Sequence, residues 1–155
     1  EVELLNYIKT HSEEYTFIDR SIAKNEEEKR QIHAKAILSD YYLMSTNAFT
    51  MDGQLVNIDG NGNRVSALCY GPKHVVIITG MNKLTPSVED AYKRIRQDAC
   101  PPNCVRLGLP TPCSKTGVCG DCMSASSICD LFVTTRMSRY PDRIHIIMVG
   151  EELGY

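Results

Sequence analysis

The chain has 155 residues, a formal net charge of −2, and 43% hydrophobic and 23% charged residues. This size and composition predict one globular domain with its own core. The small negative charge excludes a general attraction to nucleic acid or to anionic membranes. No apolar stretch approaches the roughly 18 residues of a membrane span, so we expect neither nucleic acid nor a membrane as a partner.

The seven cysteines bear on the cellular compartment. Their odd number and their spacing are unlike a secreted disulfide framework, and the acidic, amphipathic start of the chain is not a secretory signal. We therefore expect a cytoplasmic location. Because the chain begins at Glu1 without a methionine, we also expect a fragment or a processed product.

Hydrophobic periodicity and turn residues predict alternating helices and strands along the chain. In chain order we predict a helix over 2–9, a strand over 15–18, a helix from Asn25 to about Ser39, strands over 41–45 and 54–58, a helix over 64–70, a strand over 74–80, a helix from Thr85–Pro86 to about Ala99, and strands over 131–135 and 144–149. Asn25 and Glu28 form a capping box. In the helix after Pro86, we predict a buried apolar stripe formed by Val88, Ala91, Ile95 and Ala99, and Pro101–Pro102 is expected to end or kink that helix. This alternation predicts an α/β domain with a mostly parallel sheet.

The segment from Ser45 to Arg64 contains three glycines and four asparagines. Gly60 and Gly62 let the backbone approach a ligand. If Arg64 opens a helix, its guanidinium and free backbone N–H groups would suit a phosphate or carboxylate. Ordinary hairpin turns are the alternative interpretation, since Asx-Gly runs are common there.

Asn82 and Lys83 follow a nearly continuous apolar strand. Ligands of open α/β sheets gather at the carboxyl ends of such strands. A lone lysine there is more often solvent-facing than catalytic. The four histidines are scattered without a recognisable triad and are interpreted as structural or surface residues.

Four cysteines form the densest chemical pattern, and they are Cys113, Cys119, Cys122 and Cys129. Zinc and iron–sulfur clusters both accept four thiolates, but this spacing matches no standard pattern for either. Disulfide or redox pairing and plain, partly buried thiols are the alternatives. Cys100 and Cys104 would supply further ligands or pack a helix, and Cys69 is predicted to be in the core.

Several pieces of the chain together resemble the LUD (lactate-utilisation) domain family. They are LMSTNAFTMDGQLVNIDGNGNRVSALCYGPKHVVIITGMNK, RIRQDACPPNCVRLG, TPCSKTGVCGDCMSASSICD and RIHIIMVGEELGY. The resemblance implies a single domain over residues 1–155, with a cysteine-rich loop at 100–129. It also implies a Rossmann-like, open, mostly parallel sheet of the type in glucosamine-6-phosphate deaminase, ribose-5-phosphate isomerase and CoA transferases, lacking an N-terminal portion.

The resemblance further implies a function. It points to a subunit or accessory component in the oxidation of L-lactate or a similar 2-hydroxy acid, beside iron–sulfur partner subunits. A small carboxylate or phosphate would bind in a polar pocket formed by Asn47, Asp52, Asn57, Asp59, Gly60, Gly62, Asn63, Arg64, Asn82 and Lys83. The alternatives are a phosphosugar- or CoA-ester-binding domain without redox activity, or a structural metal module that docks to a partner. Homo-oligomerisation stays open, and no catalytic residue is assigned.

Overall fold

The structure is a computed structural model that describes residues 2–155. Glu1 and the side chain of Val2 lie outside the described part. The predictions about the chain start at Glu1 and about the apolar side of Val2 therefore lie outside it as well. The helices are α1 (Val2–Thr10), α2 (Glu26–Ile37), α3 (Asn63–Cys69), α4 (Val88–Arg94), α5 (Cys100–Arg106) and α6 (Pro112–Thr116), with short 3-10 turns at Arg20–Ile22 and Met81–Lys83 and a π-helical turn at Ile95–Ala99. The strands are β1 (Tyr41–Met44), β2 (Ala48–Thr50), β3 (Leu55–Asp59), β4 (His74–Gly80), β5 (Leu84–Thr85), β6 (Leu131–Thr135) and β7 (Ile144–Val149).

The strands form two open sheets. In the first, β1, β4 and β7 lie side by side and all run parallel. The second has the order β5-β2-β3-β6, in which β2 and β5 are parallel and β3 is antiparallel to both neighbours. The predicted α/β fold with an open, mostly parallel arrangement is confirmed, although the strands are divided between two sheets.

The central strand β4 explains why the first sheet forms. Its apolar run places Val75 and Ile77 in a core cluster with Leu55 and Leu68, while alternate residues face the other side. A second cluster joins β3 to the helix that follows β5, through Ala91 and its neighbours one and two turns on. The apolar stripe predicted for that helix is therefore confirmed at Ala91, Ile95 and Ala99.

The start of α2 confirms the predicted cap. The Asn25 side chain accepts a hydrogen bond from the Glu28 N–H at 2.8 Å. The Glu28 carboxylate reaches back, where the Lys24 N–H donates to it at 2.7 Å. The box thus closes one residue earlier than in the standard pattern.

The helix before the two prolines departs from the prediction at both ends. Ser87 rather than Thr85 caps it, so Val88 is the first helical residue. The α-helix ends at Arg94, the π-helical turn follows, and α5 then begins with Pro101 in its first turn. A proline has no N–H to donate, and a first turn needs none, so the chain stays helical through the prolines.

Three further predictions are wrong. Residues 15–18 form no strand, because no neighbouring strand pairs with them, and Tyr15 and Phe17 are exposed. Cys69 is exposed rather than in the core, and it is the last residue of α3. The cysteine-rich segment is not irregular throughout, because it contains α6.

This topology fixes where a ligand site would lie. Because β1, β4 and β7 are parallel, the segments that follow them meet at one edge of the sheet. Arg143, just before β7, holds β7 to α3 by donating to the carbonyl oxygens of Ala67 and Leu68 at 2.8 and 2.7 Å. Among the described helices, none has the length and apolar character that crossing a bilayer demands.

Candidate functional site

Arg64 is the centre of a polar network at this edge. A guanidinium has five N–H donors, and each one here has a partner within the chain. The partners are the Asp59 carboxylate at 3.2 Å, the Ser45 carbonyl at 3.2 Å, the Asn57 amide oxygen at 2.6 Å, the Asn47 amide oxygen at 2.8 Å and the Ile58 carbonyl at 3.1 Å. An incoming anion would have to displace one of them, so ligand binding by Arg64 stays a prediction.

Two asparagine side chains complete this network, because their amide oxygens accept hydrogen bonds from backbone N–H groups. The Asn57 amide oxygen accepts from the Asn47 N–H at 3.1 Å and from the Thr46 hydroxyl at 3.2 Å. The Asn47 amide oxygen accepts from the Ile58 N–H at 3.1 Å. Asn57 is fully buried, and its Nδ2 has no hydrogen-bond partner among the described residues. These amides lock the end of β1 against β3.

The turn from Asp59 to Gly62 binds a carboxylate from within the chain, that of Asp59. The Asp59 carboxylate accepts from the Gly62 N–H at 2.8 Å and lies 3.2 Å from Arg64 Nε. Gly62 has a φ of +80°, which favours glycine. Gly60 packs tightly, because a Cβ there would lie 3.1 Å from Ile128 Cα. The Asp59 carboxylate therefore takes the contacts that the sequence analysis assigned to a phosphate or carboxylate, and binding of such a ligand here stays a prediction.

Lys83 supplies a second cation at the same edge. Its side chain is buried, at 6% exposure, although a lone lysine at this position was expected to face solvent. The ammonium nitrogen lies 3.2 Å from the Ser45 hydroxyl and 3.3 Å from the Thr46 carbonyl oxygen. Burying an ammonium group is costly unless oxygen atoms surround it, so these oxygens fix Lys83 at the end of β4.

The C-terminal segment after β7 folds over Lys83. Asn82 anchors it, donating from Nδ2 to the Gly154 carbonyl at 3.1 Å and accepting from the Leu153 N–H at 3.2 Å. Gly80 permits the approach, because a Cβ there would lie 2.5 Å from the Glu151 carbonyl oxygen and from the Leu153 nitrogen. The segments after all three parallel strands thus meet around one lysine.

The cysteines form pairs on a different part of the surface. Cys129 Sγ lies 3.4 Å from Cys100 Sγ. Cys113 is buried in α6, 3.3 Å from the Thr111 hydroxyl, and it lies near Cys104, whose pKa is raised first by burial. Each pair thus joins a cysteine of α5, Cys100 or Cys104, to one of the four loop cysteines, Cys129 or Cys113.

The remaining two loop cysteines, Cys119 and Cys122, are partly exposed. Cys119 contacts Arg96, which is also paired with Asp121. Within the described residues, no group of three or more His, Cys, Asp or Glu side chains is arranged to hold a metal ion. In this arrangement the four loop cysteines do not fit a zinc or iron–sulfur site. A metal site formed by these cysteines therefore stays a prediction.

A comparison with known protein families shows to which family this chain belongs. Residues 3–149 match the LUD domain family. The chain belongs to this family. No curated protein and no solved structure matches it.

Two of the predicted pocket residues lie apart from the network of the LUD domain. Asp52 is at the exposed tip of the β2–β3 hairpin, where hydrogen bonds from Thr50 and Gln54 lower its pKa. Asn63 opens α3, and its carbonyl accepts from the Ser66 hydroxyl at 2.9 Å. The other predicted pocket residues lie at or next to the edge, and their contact with a ligand stays a prediction.

Sequence reasoning missed three residues that shape this edge, namely Ser45, Thr46 and Arg94. Arg94 donates to the Asn82 carbonyl and to the Asn47 carbonyl, both at 3.0 Å, and so ties the segments after β1 and β4 together. Ser45 and Thr46 follow β1 directly, so the strand-end argument applied to Asn82 would have found them. Arg94 lies on a helix, and no spacing pointed to it.

Burial dominates the electrostatics of the LUD domain edge. Burial lowers the pKa of Arg64, and the Asp59 carboxylate opposes that change. Burial also lowers the pKa of Arg94 and raises the pKa of Tyr42, which lies near Arg20 and Arg64. The Arg64 and Arg94 cations are thus held in a poorly hydrated environment, which favours an anionic ligand or neighbour.

The thiol pair has opposite shifts. The hydrogen bond with Cys100 lowers the pKa of Cys129 to about 7. The same contact, together with burial, raises the pKa of Cys100. The first thiolate to form in this pair is therefore on Cys129.

An open groove of about 810 Å³ lies elsewhere on the LUD domain, lined by Tyr41, His74, Val76, Asp142 and the first four residues of β7. It lies toward the amino ends of the parallel strands. Because ligands of parallel sheets bind at the carboxyl ends, we place the candidate site at the Lys83 edge instead.

Proposed function

We propose that this LUD domain binds L-lactate or a similar 2-hydroxy acid at the carboxyl edge of β1, β4 and β7, as a component of 2-hydroxy acid oxidation. The observation that supports this most is the buried Lys83 ammonium at that edge, with Ser45 beside it. The match to the LUD domain family agrees with the proposal, because the name of the family refers to lactate utilisation.

The chemistry of a 2-hydroxy acid suits these groups. Its carboxylate would accept a charge-assisted hydrogen bond from Lys83, replacing or joining the Ser45 contact. Its hydroxyl would pair with the Ser45 hydroxyl or with the Asn82 amide. The C-terminal segment around Gly154 would cover the bound acid and keep water away.

Oxidation of a 2-hydroxy acid to a 2-oxo acid releases two electrons and two protons. In our proposal this chain binds and orients the acid, and iron–sulfur partner subunits accept the electrons. The loop cysteines Cys113, Cys119, Cys122 and Cys129 would contribute a zinc or iron–sulfur site only if the segment rearranged to bring them together.

Thermal unfolding with added ligand tests the binding step. We expect L-lactate or pyruvate at about ten times its Kd to raise the Tm by roughly 3–6 °C, since only the folded state binds. Lys83→Met keeps the aliphatic stem and removes the charge, and it should abolish the shift. Lys73→Met is the matched control, because Lys73 pairs with Asp40 at the exposed amino end of the sheet.

Inorganic phosphate and a phosphosugar, tested beside the 2-hydroxy and 2-oxo acids, separate the two candidate ligand classes. A shift with phosphate or a phosphosugar, without any shift from a 2-hydroxy or 2-oxo acid, would favour the phosphosugar-binding function. Equal shifts in wild type and Lys83→Met would place the ligand away from this edge. Circular dichroism of each variant checks that the fold is kept.

A further inference from the structure

We propose that Cys100 and Cys129 form a reversible disulfide that fastens the cysteine-rich segment to the start of α5. The proposal rests on the direct contact of the two sulfur atoms, 3.4 Å apart, between residues 29 positions apart in the chain. It is independent of the proposed ligand site.

The backbone holds both cysteines in place. Cys100 begins α5 and is packed in a core cluster at 6% exposure. The Cys129 N–H donates to the Ser127 hydroxyl at 2.9 Å, and the next residue, Asp130, donates to the Asp59 carbonyl at 3.2 Å. A disulfide needs about 2.05 Å between sulfurs, so the two sulfur atoms have to approach by roughly 1.4 Å more.

Access favours this pair over the other thiol contact. Cys129 is partly exposed, and a small disulfide reagent can reach it. Cys104 and Cys113 are near each other but are both buried, at 1% and 6% exposure. An exchange reaction needs one sulfur open to the reagent, and only the Cys100–Cys129 contact combines a buried partner with a reachable one.

The reaction is an ordinary thiol–disulfide exchange with glutathione disulfide. The Cys129 sulfur attacks one sulfur of the reagent, the reagent's S–S bond breaks, and one glutathione leaves as a thiol. The Cys100 thiol then loses its proton, attacks the Cys129 sulfur and displaces the second glutathione. Two protein thiols are oxidised to one disulfide, and one glutathione disulfide is reduced to two thiols.

The bond would also act on the candidate ligand edge. The residue before Cys129 is Ile128, which packs against Gly60, and Asp130 bonds to Asp59. Closing the bond fixes this segment on the Asp59–Gly60 turn. We expect a Tm rise of about 5 °C or more, because the cross-link restricts the unfolded chain.

The test uses the full chain, reduced, treated with a chelator and then exposed to glutathione disulfide. Free thiols are blocked with N-ethylmaleimide, and tryptic peptides are sequenced by mass spectrometry. We expect two of the seven thiols to disappear and peptides 97–106 and 116–136 to be joined through Cys100 and Cys129. Excess reduced glutathione should restore all seven.

Two variants on one helix make the assignment. Cys100→Ser should lose the cross-link and the Tm rise. Cys104→Ser, one turn further along the same helix and also buried, should keep both. If all seven thiols of the wild-type chain stay open to N-ethylmaleimide, or if the same two peptides are joined in Cys100→Ser, the proposal is wrong.

Discussion

The carboxyl edge of the parallel sheet and the cysteine-rich segment differ in how their polar groups are held. At the edge, Arg64 and the Asn57 amide oxygen bond to residues from several different elements. In the segment after α6, most side-chain hydrogen bonds join residues two positions apart, as between Ser124 and Ser126. The Arg64 network is therefore held by several elements at once, whereas the segment after α6 is held mainly by local hydrogen bonds.

This difference separates two kinds of chemistry. A site that recognises a small anion benefits from groups fixed in advance, because their ordering cost has been met during folding. A set of thiols that exchanges bonds or takes up a metal needs room to move. The structure thus places a rigid region and an adaptable region in contact, at Gly60 and Ile128.

The largest expected effect comes from removing the centre of the rigid region. Arg64→Ala removes the guanidinium that pairs with the Asp59 carboxylate and donates to two amide oxygens, and Asp59 is buried. We expect a loss of about 3 kcal/mol in the free energy of unfolding, measured by urea denaturation. The matched variant is Arg96→Ala, which removes an ion pair between the π-helical turn and Asp121 of the adaptable region.

Arg96 pairs with exposed Asp121, and exposed pairs contribute less than about 1 kcal/mol. We therefore expect Arg96→Ala to unfold at nearly the wild-type urea concentration. Equal losses in the two variants would contradict the contrast between the two regions.

A smaller effect tests how closely the C-terminal segment is packed on the edge. Gly80→Ala brings a Cβ within 2.5 Å of two backbone atoms of that segment. We expect a cost of about 1–3 kcal/mol in stability, because backbone has to shift. Faster hydrogen exchange at the Leu153 N–H should accompany it, since that amide bonds to Asn82.

Gly120→Ala is the control in the cysteine-rich segment, where a Cβ would meet nothing within 4 Å. A change within about 0.5 kcal/mol is expected there. If Gly80→Ala is equally neutral, the C-terminal segment does not rest on β4 in solution.

The sequence predicted the elements with a strong local signal. The cap at Asn25, the apolar run of β4 and the stripe at Ala91, Ile95 and Ala99 each depend on neighbours in the chain, and each is found. The strand at 15–18 failed because a strand also needs a partner, which local sequence does not reveal. The division into two sheets is a tertiary property of the same kind.

The candidate site was predictable only in part, for a related reason. Strand ends identified Asn82 and Lys83, because position along a parallel strand is local information. The role of Asp59 as the anion bound by Arg64 and Gly62 was missed, since a carboxylate in a turn looks the same whether it faces solvent or fills the site. The contact between Cys100 and Cys129 joins residues far apart, and spacing cannot show it.

The smallest expected effect concerns the reactivity of the adaptable region rather than its stability. Cys129 has a pKa of about 7 because Cys100 donates a hydrogen bond to its thiolate. Its folded pKa lies below that of an ordinary thiol, near 8.5, so the thiolate forms as the pH rises through 7. In the reduced protein, alkylation of Cys129 by iodoacetamide should reach half its maximal rate near pH 7, followed by mass spectrometry of peptide 116–136.

Cys100→Ala removes the donor and should move that half-point toward the ordinary value, whereas Cys104→Ala should leave it unchanged. A half-point near 8.5 in the wild-type chain would mean that the two sulfurs are not in contact in solution. The cysteine-rich segment would then be even less constrained than the structure indicates, and its contrast with the Arg64 network would widen. A half-point near 7 that depends on Cys100 would instead show one fixed contact within a movable segment, at the place where it meets the rigid edge.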